Sequence, residues 1–88
     1  MINPQEKLLA IAKELEARFG YSWCASPDNL SILFIDLGVR VSWDNSYKWF
    51  DIRPDAQPYK WFRTIKHPLG VVYFLILRSY ERGIVIWN

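Results

Sequence analysis

The chain has 88 residues and a net charge of +2, and 51% of its residues are hydrophobic and 17% aromatic. This length is typical of one domain, and so small a net charge does not by itself indicate nucleic-acid binding. The one cysteine, Cys24, excludes an intrachain disulfide. The longest uncharged apolar run, from Leu69 to Leu77, is far shorter than the ~20 residues that span a bilayer. Charged residues between Glu6 and Lys13 interrupt any secretory signal. We therefore expect a cytoplasmic protein with no membrane partner.

The first predicted element is an amphipathic helix. Asn3 is a suitable N-cap, Pro4 suits the first helical position, and Glu6 completes a capping box. Gly20 predicts the end of the helix, because glycine adopts the left-handed conformation at low cost. Between them, apolar residues recur at helical spacing, at Leu8, Ala12, Leu15 and Phe19. A helix with this pattern is expected to cover one face of a sheet.

The residues that follow are predicted to be mainly β-strands. Residues 21–26 have the composition of a strand, and Ser26-Pro27-Asp28-Asn29 is a turn sequence. Residues 30–37 are apolar at almost every position, which predicts an interior strand with both faces at least partly covered. Gly38 then predicts a bulge or bend.

The next two strands are predicted to form a hairpin, from residues 39–44 and 47–53. Asp44 and Asn45 tolerate positive φ and therefore suit a two-residue loop, which would pair Val39 with Phe50. Opposed residues share a face of the sheet. In this register the core receives Val39, Val41, Trp43, Phe50 and Ile52, and the other face receives Arg40, Ser42, Tyr47, Trp49, Asp51 and Arg53. Phe19 and Phe50 are both expected to be core residues.

The tetrapeptide Tyr-Lys-Trp-Phe occurs twice, at residues 47–50 and 59–62. The second copy lies in residues 55–66, a segment whose secondary structure the sequence leaves open between a short helix and a strand. Tyr59, Phe62 and Ile65 have helical spacing, which slightly favours a short helix, whereas alternation along the same residues indicates a strand. One pair of copies without any further match does not indicate a duplicated module.

The last third of the chain is predicted to complete the sheet. Residues 71–77 form a β-branched and aromatic run that indicates a central strand, and residues 84–87 are predicted to pair with it. The expected fold is therefore α+β, with the N-terminal helix packed on an antiparallel sheet of about five or six strands.

Catalytic, metal and cofactor sites are not indicated by the sequence. The one histidine, His67, has no nearby nucleophile or partner carboxylate, and Cys24 is expected to be an inert buried thiol. One histidine and one cysteine do not make a metal-ligand set, and the isolated glycines form no phosphate-binding loop. We expect no enzyme activity, no metal and no cofactor.

Binding is indicated instead by the distribution of charge and aromatic residues. Residues 1–46 carry four basic and six acidic side chains, and residues 47–88 carry seven basic and three acidic ones. The predicted partner-binding residues are Tyr47, Trp49, Arg53, Lys60, Trp61, Arg63 and Lys66. Trp, Tyr and Arg concentrate binding energy in protein interfaces, so the first interpretation is a non-catalytic module that binds another protein. The alternative is a single-stranded nucleic-acid binder, in which rings stack on bases. Packing of these rings in a core or a homodimer interface is a third interpretation.

Overall fold

The computed structural model describes residues 3–81. Its elements are, in chain order, α1 (Pro4–Phe19), β1 (Trp23–Ala25), β2 (Ser31–Phe34), β3 (Val39–Asp44), β4 (Trp49–Pro54), β5 (Arg63–Ile65) and α2 (Pro68–Glu81). The five strands are antiparallel and lie in the order β1-β2-β3-β4-β5. Buried side chains of both helices and of alternate strand positions form a single core cluster. The predicted α+β fold, with the N-terminal helix on an antiparallel sheet, is confirmed.

Helix α1 begins and ends where the sequence predicts. The Asn3 side chain accepts a hydrogen bond from the Glu6 amide at 2.9 Å, and Gly20 takes the left-handed conformation with φ of 69°. The apolar stripe lies in the core through Leu8, Ile11, Ala12 and Leu15. Phe19 is only half-buried and stacks on Tyr21, with ring centroids 5.2 Å apart. The prediction that Phe19 closes the core stripe is therefore met in part.

The β3–β4 hairpin has a longer loop than predicted. Trp43 pairs with Phe50, and the last pair, Asp44 with Trp49, leaves a four-residue loop at residues 45–48. The predicted two-residue loop is wrong. The left-handed residue is Lys48, with φ of 59°. The Asp44 carboxylate accepts hydrogen bonds from the backbone amides of the loop's second and third residues. The pairing is displaced by an even number of residues, so the predicted faces are retained. Phe50 is fully buried, as expected.

The β2–β3 connection has the same length. Strand β2 ends at Phe34 and not at Leu37, because Ile35–Gly38 form a four-residue loop between the paired residues Phe34 and Val39. Gly38 has φ of 63°, and its amide donates to the Phe34 carbonyl at 2.9 Å. The glycine therefore ends a turn, which agrees with the predicted bend and not with a bulge.

The segment between β4 and α2 contains no helix among the described residues. The favoured short helix over residues 55–66 is wrong, and the alternative strand is present as the three residues of β5, where Arg63 pairs with Ile52 and Ile65 with Phe50. Pro54 and Pro58 bracket the loop that carries the chain to this edge. Residues 63–65 therefore form backbone hydrogen bonds with β4. A single helical turn in the same place would not make these bonds and is unfavourable to form by itself.

The second tetrapeptide copy does not repeat the geometry of the first. In the first copy Phe50 is fully buried and Trp49 lies on the opposite face of β4. In the second copy the order is reversed, since Trp61 is half-buried against the core and Phe62 is 64% exposed. The two copies therefore do not form a repeated structural element.

The predicted central strand over residues 71–77 is wrong, because these residues lie in α2. Pro68 is the first residue of the helix, a position that its fixed φ favours. The buried positions Val71, Val72, Leu75 and Ser79 fall on one helical face that packs on α1 and β5. A run that is apolar at every position carries no periodicity with which to distinguish strand from helix. The predicted strand over residues 84–87 lies outside the described residues.

Candidate functional site

Helix α2 is apolar on the side that faces away from the core as well as on the side that faces it. Leu69, Tyr73, Leu77 and Tyr80 are 62%, 57%, 60% and 39% exposed. Their spacing of i, i+4, i+8 and i+11 places them in one stripe, opposite the buried Val71 and Leu75. We call these four residues the α2 stripe.

The α2 stripe differs from ordinary scattered exposure. Single exposed apolar residues are normal on protein surfaces, whereas contiguous apolar patches of a few hundred Å² mark binding sites. A surface helix is usually polar on its solvent side, and one that is apolar all round is usually buried. The stripe is therefore the strongest indication of a binding surface among the described residues.

A cleft lies beside the C-terminal half of the stripe, between β5 and α2. It has a volume of about 340 Å³ and is lined by Trp61, Phe62, Arg63, Phe74, Leu77 and Arg78. We call it the β5–α2 cleft. Because Leu77 belongs both to this cleft and to the stripe, the two form one continuous surface.

Guanidinium groups and aromatic rings alternate in the β5–α2 cleft. The Arg63 Cζ atom lies 5.4 Å from the centroid of the Phe74 ring, and the Arg78 Cζ atom lies 4.6 Å from that of Trp61. The Trp61 and Phe74 rings are themselves 6.0 Å apart. Each cation–π contact of this kind contributes roughly 0.5–1 kcal/mol at an exposed site. For Arg63, the stacking on Phe74 holds the planar guanidinium group in place without consuming its N–H donors.

The charge around the cleft is positive. Lys60, Arg63 and Lys66 are exposed and make no ion pair with any described residue. Residues 58–70 contain no acidic side chain at all. Because Arg63 lines the cleft that shares Leu77 with the apolar stripe, positive charge adjoins the stripe at this end.

A second depression adjoins the N-terminal end of the stripe, between α1 and α2. This α1–α2 groove has a volume of about 490 Å³ and is lined by Ala10, Ile11, Glu14, Pro68, Leu69 and Val72. Its one carboxylate, on Glu14, is ion-paired with Arg18 at 2.6 Å. The α2 stripe therefore runs from an apolar groove at one end to a cationic cleft at the other, and we call the whole the α2 surface.

The sheet face opposite the helices has a different character. Arg40 and Arg53 are cross-strand neighbours on this face, an arrangement that repels unless the charges are compensated. Asp55 pairs with Arg40 at 3.0 Å, and Asp51 binds Arg53 through both carboxylate oxygens, which raises the pKa of Arg53 above its ordinary value. The four charges balance, so this open face is polar but locally neutral.

The predicted binding residues fall into two groups. Tyr47, Trp49 and Arg53 belong to the open sheet face, where Tyr47 stacks on Trp49 with ring centroids 4.6 Å apart. Trp61 and Arg63 line the β5–α2 cleft. The remaining two, Lys60 and Lys66, are exposed in the segments that flank β5. The seven residues that were predicted to form one binding surface therefore lie on separate parts of the structure.

Sequence reasoning missed the residues of the α2 stripe, because the run that contains them was interpreted as a strand. A signal was present, since Leu69, Tyr73 and Leu77 recur every four residues and Pro68 suits a helix start. The equally apolar residues between them concealed it.

Reactive side chains are not concentrated in this surface. Cys24 is exposed, so the prediction of a buried thiol is wrong, and His67 is exposed in the turn before α2. Between residues 3 and 81, no three His, Cys, Asp or Glu side chains are grouped as a metal site would require. Neither helix in that range is long and apolar enough to cross a bilayer.

Comparison of the chain with protein-family models, with curated proteins and with solved structures gives no match.

Proposed function

We propose that this protein is a non-catalytic protein-binding module, of the inhibitor, immunity or adaptor type, that covers a partner through its α2 surface. The observation that carries the proposal is the α2 stripe, whose four large side chains are exposed in a row on an otherwise packed helix. Leaving this apolar area in water costs about 25 cal/mol for each Å². A partner that buries the stripe recovers that free energy.

The composition of the α2 surface supports a protein partner. Tyr and Arg are among the residues that dominate protein interfaces, and both occur here, as Tyr73 and Arg63. The apolar centre with a charged margin is the usual anatomy of such interfaces. Two of the four stripe residues are leucines, which offer no aromatic face for a nucleic-acid base.

The second candidate function is single-stranded nucleic-acid binding by the open sheet face. Tyr47 is 64% exposed there, and the Arg53 guanidinium of this face lies 5.3 Å from the ring of Phe62, which also lines the β5–α2 cleft. Stacking on such rings contributes roughly 1–3 kcal/mol per base. Asp51 and Asp55 already pair with the two arginines of this face, so it offers phosphates no net positive charge, which is why we rank this candidate second.

The two candidates are distinguished by a pair of matched variants. Tyr73 on the α2 stripe and Tyr47 at the open face are 57% and 64% exposed, so they match in type and exposure. A partner captured from the host is purified, and its direct binding is measured by titration calorimetry. Tyr73→Ala is expected to weaken binding by about 2 kcal/mol, or roughly 30-fold, as at an interface hot spot. Tyr47→Ala is expected to change it less than about twofold.

The opposite ranking of the two variants would refute the α2 surface as the binding site. Fluorescent single-stranded oligonucleotides, titrated at low and moderate salt, test the second candidate directly. Tight binding that weakens steeply with salt and requires Tyr47 would support nucleic-acid binding and contradict our proposal. No oligonucleotide binding at low salt would eliminate that candidate.

A further inference from the structure

The α2 surface has two chemically different ends, and this asymmetry carries information about its occupant. We propose that the partner contributes an amphipathic helix that lies antiparallel along α2, with carboxylates in its first turn facing the β5–α2 cleft. This inference rests on the proposed function and specifies the chemistry of the partner.

The shape of the stripe indicates a helical occupant. Leu69, Tyr73 and Leu77 follow the i±4 row of α2 and form a ridge almost along its axis. From Leu69 to Tyr80 this ridge is about 17 Å long, at 1.5 Å per residue. An apolar ridge of three turns packs into the groove between the side-chain rows of a second helix, and docking of an amphipathic helix on an apolar surface is a common recognition mode.

Charge complementarity indicates carboxylates at one end of that helix. Arg63 is exposed, stacked on Phe74 and without an ion pair among the described residues. Its guanidinium plane matches the geometry of a carboxylate, which accepts two parallel N–H bonds. Lys60 and Lys66 add positive charge on either side of β5. At the other end, the α1–α2 groove is apolar, so the occupant is expected to be apolar there.

The direction of the occupant follows from where a helix best carries carboxylates. Carboxylates are most stable in the first turn of a helix, where they face the positive end of the helix dipole. The cleft adjoins the C-terminal half of α2, through Phe74, Leu77 and Arg78. The N-terminus of the bound helix therefore lies over the C-terminal half of α2. The two helices are antiparallel, so the positive end of each helix dipole lies beside the negative end of the other.

A second copy of this chain does not supply the required charge. In a two-fold symmetric pair of antiparallel α2 helices, the cleft of one copy would face the N-terminal end of α2 in the other. That end carries Lys66 and a groove whose one carboxylate, on Glu14, already pairs with Arg18. The cationic cleft would thus meet a further cation, which favours a different chain as the occupant.

Three synthetic peptides of about 18 residues test this inference. All are alanine-based with the same leucine stripe, one with glutamates in the first turn, one with lysines there, and one with the glutamates in the last turn. Affinity is measured by fluorescence anisotropy at moderate salt, with peptide helicity checked by circular dichroism. The first peptide is expected to bind at least tenfold more tightly than the other two. Equal binding by the three, preference for lysine, or no binding by any would overturn the inference.

Variants assign the preference to the cleft. Arg63→Gln is expected to reduce the tenfold preference to less than about threefold, while Tyr73→Ala weakens all three peptides. Arg53→Gln, which removes a guanidinium group from the open face, is the matched control and is expected to retain the preference. Retention of the preference by Arg63→Gln would contradict the assigned role of this residue.

Sedimentation equilibrium completes the test. A monomer is expected, and a dimer that dissociates on Tyr73→Ala would assign the stripe to a second copy and refute the inference. If the purified host partner requires Tyr73 but the peptides bind equally, the proposed function stands and the partner chemistry is wrong. The two failures are therefore distinguishable.

Discussion

Two leucines on α2 provide the sharpest test of whether the stripe is a surface or part of the core. Leu75 has no exposed area, and Leu77 is 60% exposed, although both lie in the same helix two residues apart. Replacing a fully buried leucine by alanine removes its transfer free energy and leaves a cavity, at a cost of about 2–5 kcal/mol. The shielded two-fifths of Leu77 corresponds to about 0.6–1.2 kcal/mol, from 1.5–3 kcal/mol for complete burial, with little cavity left behind.

We therefore expect Leu75→Ala to lower the free energy of unfolding by about 1–4 kcal/mol more than Leu77→Ala does. The whole domain is expected to have a stability of about 4–13 kcal/mol, so the difference is readily measured. Urea unfolding is followed by far-UV circular dichroism and tryptophan fluorescence, at two protein concentrations.

Equal losses of unfolding free energy for the two variants would show that Leu77 is packed in the folded protein. Such a result would refute the assignment of Leu77 to an exposed stripe. A loss at Leu77 that grows with protein concentration would show that a second copy covers the stripe. If Leu77→Ala folds like the natural protein, it also becomes a suitable variant for the binding experiments.

Phe50→Ala is expected to lower the free energy of unfolding in urea by about 3–5 kcal/mol, because Phe50 is fully buried. Phe19→Ala is expected to lower it clearly less, since Phe19 is half-buried. Equal losses of unfolding free energy for the two variants would contradict this. Gly38→Ala is expected to lower the free energy of unfolding by about 1–2 kcal/mol, because alanine is disfavoured in the left-handed conformation at φ of 63°. No steric clash adds to this cost, since a Cβ atom there meets nothing within 4 Å. An unchanged urea midpoint would be inconsistent with this backbone conformation. The Ser26 hydroxyl and a backbone amide hold the pKa of Asp28 below its ordinary value. Its contribution to stability is therefore present above the unfolded pKa of about 3.9 and is lost as the pH falls through the lower folded pKa. Urea midpoints measured against pH should depend less on acid in Asp28→Asn, and an identical acid dependence would argue against these hydrogen bonds.

Local chemistry was sufficient to predict helix α1 and the two faces of the β3–β4 hairpin. The Asn3 cap and the left-handed Gly20 act within one turn of the helix ends, so no distant residue is needed to place them. The hairpin register was predicted incorrectly by an even number of residues. Because side chains alternate with a period of two, this error left every core assignment unchanged.

Helix α2 and strand β5 were decided by packing between distant parts of the chain. Residues 71–77 are apolar throughout, so either a strand or a helix would bury them, and the choice depends on what lies beside them. Gly70 allows α2 to approach β5 closely, since a Cβ atom there would lie 2.8 Å from Cγ2 of Ile65. Once α2 is a helix, its period of 3.6 residues turns Val71 and Leu75 inward and Tyr73 outward. The exposed stripe is therefore a consequence of tertiary structure, because the sequence marks these residues only as apolar.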